Sequence, residues 1–168
     1  MARSFKTQLA GQIGEHLVVA ELGRLGIVAT PFSGNVPDID LLAYKDGKSL
    51  PLQIKANRKG SISVDARRYL NIAFNGDVQT VVGKSKDVDR NLIFILVSIG
   101  NQLGEDRFFI YKQGFLQDLI YDRYKAFLSK HGGIRPKNPK STHSAYSKSD
   151  LQGSENNWGI IIEALANQ

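Results

Sequence analysis

The 168-residue chain contains no cysteine. Disulfides, thiolate zinc sites, iron–sulfur clusters and cysteine nucleophiles are therefore excluded. Histidine is scarce: His16, His131 and His143 show no ligand-like spacing, and on a helix His16 points about 100° away from Glu15, so no zinc site is expected. Long apolar runs are also missing. The longest, Leu92 to Ile99, is far short of the ~20 residues a membrane helix needs. No continuous apolar core precedes Glu15, so a secretory signal is not expected and the cytoplasm is the expected compartment. Gly-x4-Gly-Lys-Ser/Thr and Gly-x-Gly-x-x-Gly are absent, which disfavours a nucleotide-driven enzyme. Gly-x-Ser-x-Gly is absent too.

What is present fits a folded domain. The chain is 42% hydrophobic and 23% charged, so wholesale disorder is excluded. The length suits a single domain over 1–168, with a core from about 5 to 128 and a C-terminal basic loop and helix over 129–168. Lys and Arg number 22 against 16 Asp and Glu, a net charge of +6. That balance suits a polyanionic partner, but many soluble proteins share it.

Periodicity sets the element order. Leu9, Ile13 and Leu17, then Val18, Leu22 and Leu25, predict a helix from Phe5 to Leu25, with Gly26 as its stop. A short strand over 27–32 and a turn over 33–37 follow. Residues 38–44 and 49–55 read as two strands joined at Lys45-Asp46-Gly47-Lys48, a β-hairpin. Residues 61–91 read as strand and loop. Strands follow at 91–98 and 107–111, then helices at 115–128 and 154–166 separated by a loop, with Trp158 on the last apolar stripe. The fold class is α/β, with a central mixed sheet flanked by helices.

The hairpin carries the chemistry. Strand side chains alternate faces, so Asp38 and Asp40 share one face and Gln53 and Lys55 share one on the next strand. Superposing the apolar faces brings Asp40, Gln53 and Lys55 within reach of one another. Carboxylate and amide oxygens hold a hard cation such as Mg²⁺ or Mn²⁺. Such a cation polarises a phosphodiester, and a lysine orients the attacking water. A solvated hairpin face with Asp–Lys pairing accounts for the same pattern. Glu15 adds weight to the site: it lies in line with Val18, Leu22 and Leu25, and Gly11 and Gly14 let the helix approach closely. A buried carboxylate is costly without a cation or donors; a capping or salt-bridge role for Glu15 is the alternative.

These residues resemble the PD-(D/E)xK, or restriction-endonuclease-like, nuclease superfamily. The resemblance is carried by Gly14-Glu15, by Pro37-Asp-Ile-Asp-Leu-Leu-Ala43 and by Leu52-Gln-Ile-Lys55. It covers residues 11–58 and is looser over 91–128. It implies a restriction-endonuclease-like core and a divalent-metal-dependent nuclease acting on DNA. Glu15 would match the helix carboxylate, Asp40 the metal-binding aspartate with Asp38 as competitor, and Lys55 the motif lysine. Gln53 stands where most members carry Glu or Asp, as in a Gln-x-Lys variant. The substitution removes one negative charge from the metal site, so a catalytically inactive domain that binds nucleic acid or a protein partner is the alternative.

Other cations offer phosphate contacts or ordinary solvated charge. Arg58 and Lys59 follow the motif strand directly. Residues 125–149 hold six Lys or Arg, among them Arg135, Lys137 and Lys140, and no acid, with Tyr124 and Tyr146 nearby. DNA is the expected partner, RNA stays open, no membrane is expected, and pairing of two copies would let both strands be cut.

Overall fold

A computed structural model describes residues 5–32 and 37–167. Helix α1 (Phe5–Arg24) ends as its sequence dictates. Gly26 adopts φ +71, Ile27 N–H donates to Leu22 O at 2.9 Å, and Gly26 N–H donates to Gly23 O at 3.1 Å. This is a Schellman stop, which needs a residue free to adopt left-handed φ. Val18 and Leu22 are fully buried, whereas the first turns of α1 expose Phe5 and Leu9.

Strands β1 (Val28–Pro31), β2 (Leu41–Lys45) and β3 (Lys48–Asn57) follow. Asp46 (φ 51) and Gly47 (φ 82) form the tight turn between β2 and β3, pairing Lys45 with Lys48. Two positive-φ residues match the twist of the flanking strands, which is why Asp-Gly sits there. β4 (Ser61–Asp65), β5 (Leu70–Asn75) and β6 (Val78–Lys84) occupy the stretch that the sequence left as strand and loop. Then come β7 (Ile93–Ser98), β8 (Arg107–Lys112), α2 (Gln113–Lys130), β9 (His143–Ser147) and α3 (Gly159–Ala166). β9 and a 3₁₀ helix over Lys148–Ser154 replace much of the loop expected before the last helix, and α3 starts five residues later than expected.

The fold is mixed α/β. A five-stranded sheet has the order β1-β2-β3-β7-β8; β1–β2 and β2–β3 are antiparallel and β3–β7 is parallel. One face packs beneath α1 and α3. Leu41, Leu52, Ile54, Ile93, Ile95 and Val97 meet Val18 and Leu22 from α1 and Ile161 and Leu165 from α3. β7 is buried at every position, which explains its unbroken apolar run. Trp158 precedes α3 and packs on Phe108 with ring centroids 5.3 Å apart.

The chain divides into two compact units. The first comprises 1–62, 92–111 and 147–168 and contains the five-stranded sheet, α1 and α3. The second comprises 63–91 and 112–146 and contains α2 and the antiparallel β5–β6 ribbon. Charge is distributed unequally. The first unit has ten Lys and Arg against ten Asp and Glu; the second has twelve against six. The entire +6 therefore resides in the second unit.

Candidate functional site

In the first unit, β2 and β3 separate just before Leu41. Leu41 pairs with Leu52, so continuing the register by one residue brings Asp40 level with Gln53. Asp40 N–H donates to Leu52 O at 2.9 Å, and Phe32 N–H donates to Asp40 O at 3.1 Å. At the next rung a side chain replaces the strand: Ile54 N–H donates to Asp40 Oδ2 at 2.7 Å. The carboxylate thus satisfies a main-chain donor that the departing strand would have left orphaned. It is fixed between the positions of Gln53 and Lys55. Among the described residues, Asp40 Oδ1 receives no hydrogen bond.

Glu15 reaches this point because of the residue before it. Gly14 lies over β3, and a β-carbon there would overlap that of Ala56 and touch Val97. Only glycine lets α1 seat this closely. Glu15 is half-buried. Burial foremost, and then the Asp40 carboxylate, push its pKa upward, while His16 partly offsets them. Two carboxylates therefore repel each other within a partly dehydrated corner, an arrangement that a cation would relieve.

Leu52, Ile54 and Ala56 face α1. Gln53 and Lys55 lie on the other side of β3, level with Phe94 and Leu96 of β7; Gln53 is half-buried and Lys55 exposed. The cross-strand grouping of Asp40, Gln53 and Lys55 thus becomes a neighbourhood along β3, centred on the bond from Asp40 to Ile54 N–H. Asp38 differs from the alternation expected of it. It adopts φ +61 in an exposed turn, and β2 begins only at Leu41, so Asp38 and Asp40 do not alternate along one strand.

Glu15 and Asp40 offer carboxylate oxygens and Gln53, on the other side of β3, a carboxamide oxygen; all are hard donors of the kind that suits Mg²⁺ or Mn²⁺. Among the described residues no cluster of three His, Cys, Asp or Glu is suited to a metal.

Arg58 and Lys59 leave β3 through a turn organised by Asn57. Its Oδ1 accepts from Lys59 N–H at 2.9 Å and Gly60 N–H at 2.7 Å. Both cationic side chains are exposed; Arg58 donates to Gly100 O at 3.0 Å. In the second unit, Arg135 donates to His143 O at 2.8 Å and lies over the rings of Tyr124 and Phe127. Lys140 donates to Gly76 O and pairs with Asp77 at 3.3 Å. Lys137 is exposed. Two residues that sequence reading did not single out, Gln79 and Gln117, are buried at 2% and 0% exposure, and both are fully hydrogen-bonded. A glutamine amid alternating valines at 78–82 was the available signal for the first. No helix among the described residues is long and apolar enough to cross a membrane.

No protein-family model and no curated protein matches the chain by sequence. Its fold is that of a solved nuclease: a bacterial homing endonuclease, I-Ssp6803I, aligns over 96% of this chain and 97% of its own, with a TM-score of 0.52 at 14% identity.

Proposed function

We propose that the protein is a divalent-metal-dependent nuclease that hydrolyses DNA, built as a Gln-x-Lys variant of the PD-(D/E)xK type. The observation that carries this reading is the fixed Asp40 carboxylate beside Glu15 at the fork of β2 and β3. The full-length likeness to a homing endonuclease supports the nuclease class and DNA as partner. Asp40 Oδ1, Glu15 and the Gln53 carboxamide oxygen would hold Mg²⁺ or Mn²⁺. Bound there, the ion supplies Lewis acidity toward the phosphodiester and a water of lowered pKa. Asp40 keeps its orientation because Ile54 N–H holds its other oxygen. Lys55, exposed on the same strand, orients the attacking water and counters charge on the pentacovalent phosphorus. Arg58 and Lys59 hold backbone phosphates beside the site. Glu15 must be ionised to act, and its raised pKa means that this ability is lost earlier on acidification than for an ordinary glutamate.

A second reading rests on Gln53: a nuclease-fold domain that binds DNA without cutting it. A substrate panel separates the two. Supercoiled plasmid, linear duplex, single strand, four-way junction and RNA are each incubated with Mg²⁺, Mn²⁺ or EDTA. Metal-dependent cutting that disappears in Asp40→Ala and Lys55→Ala establishes the enzyme. Salt-sensitive binding without cutting under any metal establishes the binder.

A further inference from the structure

The β5–β6 ribbon has two unlike faces. Leu70, Ile72, Gln79 and Val81 alternate along the inner one, buried or half-buried. Asn71, Ala73 and Asn75 from β5, with Thr80 and Val82 from β6, alternate along the outer one, all exposed. Ala73 stands level with Thr80, and Asn75 with Val78. An isolated two-stranded ribbon is marginal in water. This one is held by polar bonds at its middle, root and tip. In the middle, the Gln79 amide donates to Pro139 O at 2.5 Å and Ser141 O at 3.0 Å, and its oxygen accepts from Tyr124 Oη at 2.5 Å. At the root, Gln117 donates to Tyr69 O at 2.9 Å and Ser85 O at 2.8 Å and accepts from Arg90 at 2.6 Å. At the tip, Lys140 binds Gly76 O and Asp77. Among the described residues, the side chains of Asn75 and Thr80 make no hydrogen bond. The inner face is anchored by buried polar groups, while these outer polar groups are left for something else.

We propose that the outer face of this ribbon enters the major groove of duplex DNA and reads its sequence. The proposal rests on the nuclease reading for its partner class and adds where specificity is built. The major groove, about 12 Å wide, admits a two-stranded ribbon. Asn75 presents a donor and an acceptor matched to the N6/N7 edge of adenine; the Thr80 hydroxyl pairs with either kind of base edge; Ala73 and Val82 meet thymine methyls. The outer face itself carries no charged side chain; the net positive charge of the unit that carries the ribbon is what favours duplex DNA as its occupant. Neither strand carries a carboxylate. Arg67 and Arg68 precede β5, with Arg67 paired to Asp65 at 3.2 Å; Lys84 ends β6 and pairs with Asp118 at 2.8 Å, Lys86 follows it, and Lys140 neutralises Asp77 at the tip. Asp87 and Asp89 lie beyond Lys86; Asp89 accepts Asn91 N–H. The unit as a whole supplies the net +6.

The test selects preferred duplexes from a randomised pool, using the full chain and an Asn75→Ala/Thr80→Ala variant. The intact protein is expected to enrich a defined sequence. The variant is expected to bind unselected duplex equally well but to lose at least about tenfold discrimination at the contacted positions. Intact binding and cutting with unchanged preference in the variant would overturn the ribbon proposal alone. An intact protein that neither binds nor cuts any duplex would overturn the nuclease reading and this proposal together. Should the variant fold poorly, methylation interference with the intact protein decides. Interference at guanine N7, in the major groove, supports the proposal; interference confined to adenine N3, in the minor groove, refutes it.

Discussion

The two units of this chain solve different electrostatic problems. The first is neutral in sum and closes around one apolar core, yet it tolerates Glu15 close to Asp40 at the edge of that core. The second carries the whole positive charge and is fastened by polar groups: Gln79, Gln117, and Asp118 held by Arg90 and Lys84. A cation site inside a strongly basic surface would compete with that surface's field, whereas a polyanion is gathered by such a field. The Glu15–Asp40 pair falls in the first unit and the excess of cations in the second, so each demand is met by its own unit. The chemistry is therefore expected to respond to changes in the first unit, and most of the affinity and salt dependence, with the sequence preference, to changes in the second; Arg58 and Lys59 are the first unit's share of the phosphate contacts.

The largest effect is expected at Asp40. Asp40→Asn keeps an acceptor for Ile54 N–H but removes the charge. Cleavage should fall by at least about 10²-fold while DNA affinity and melting temperature hold. Asp40→Ala should also lose about 1–3 kcal/mol of stability by orphaning that buried donor, read from denaturant unfolding. Gly14→Ala is next. Overlap with Ala56 should cost about 1–3 kcal/mol and slow cleavage as Glu15 shifts, and Ala56→Gly in the same chain should recover much of both. Gln79→Ala strands Tyr124 Oη and two loop carbonyls. About 1–3 kcal/mol should be lost, with faster amide exchange confined to the second unit. Gln53→Glu sharpens the comparison from the other side: metal affinity, followed by Mn²⁺ titration, should rise about tenfold or more, with the salt dependence of DNA binding unchanged.

The smallest effect is a divergence with pH. Asp118, hydrogen-bonded first by Arg90 and then by Lys84, is held at a pKa of about 2. Its contribution is complete above the ordinary carboxylate range and lost as pH falls through about 2. Exposure and screening keep it small. Glu15 behaves oppositely. Its raised pKa is a cost to folding that is present above that pKa and relieved as pH falls through it. Acid titration followed residue by residue should therefore loosen the second unit while easing the first, and Glu15→Gln should stabilise the metal-free protein at neutral pH while lowering cleavage.

Local signals made the first unit readable. The α1 stripe, the Gly26 stop, the Asp-Gly turn and the apolar β7 run each specify their element without help from distant residues. Glu15, Gln53 and Lys55 were nameable because two short-range patterns, helix spacing and strand alternation, position them; Asp40 lies one residue outside β2. Alternation failed at Asp38, where a left-handed backbone breaks the strand, and it did not foresee that Asp40 bonds a main-chain donor. The second unit was opaque for the converse reason. Its strands are short and part-polar, and they hold their places through glutamine bonds between residues 45 to 62 positions apart. β9 was hidden in a basic segment whose composition suggests a loop. Arg135 and Lys140 were legible as cations, but their anchoring of this unit was not.

The most direct measurement is single-turnover cleavage of DNA already bound to the protein, started by adding Mg²⁺. The account predicts prompt cutting by the intact protein, and none by Asp40→Asn despite equal occupancy of the DNA. Cutting by Asp40→Asn at the parental rate and with the parental metal dependence would contradict it.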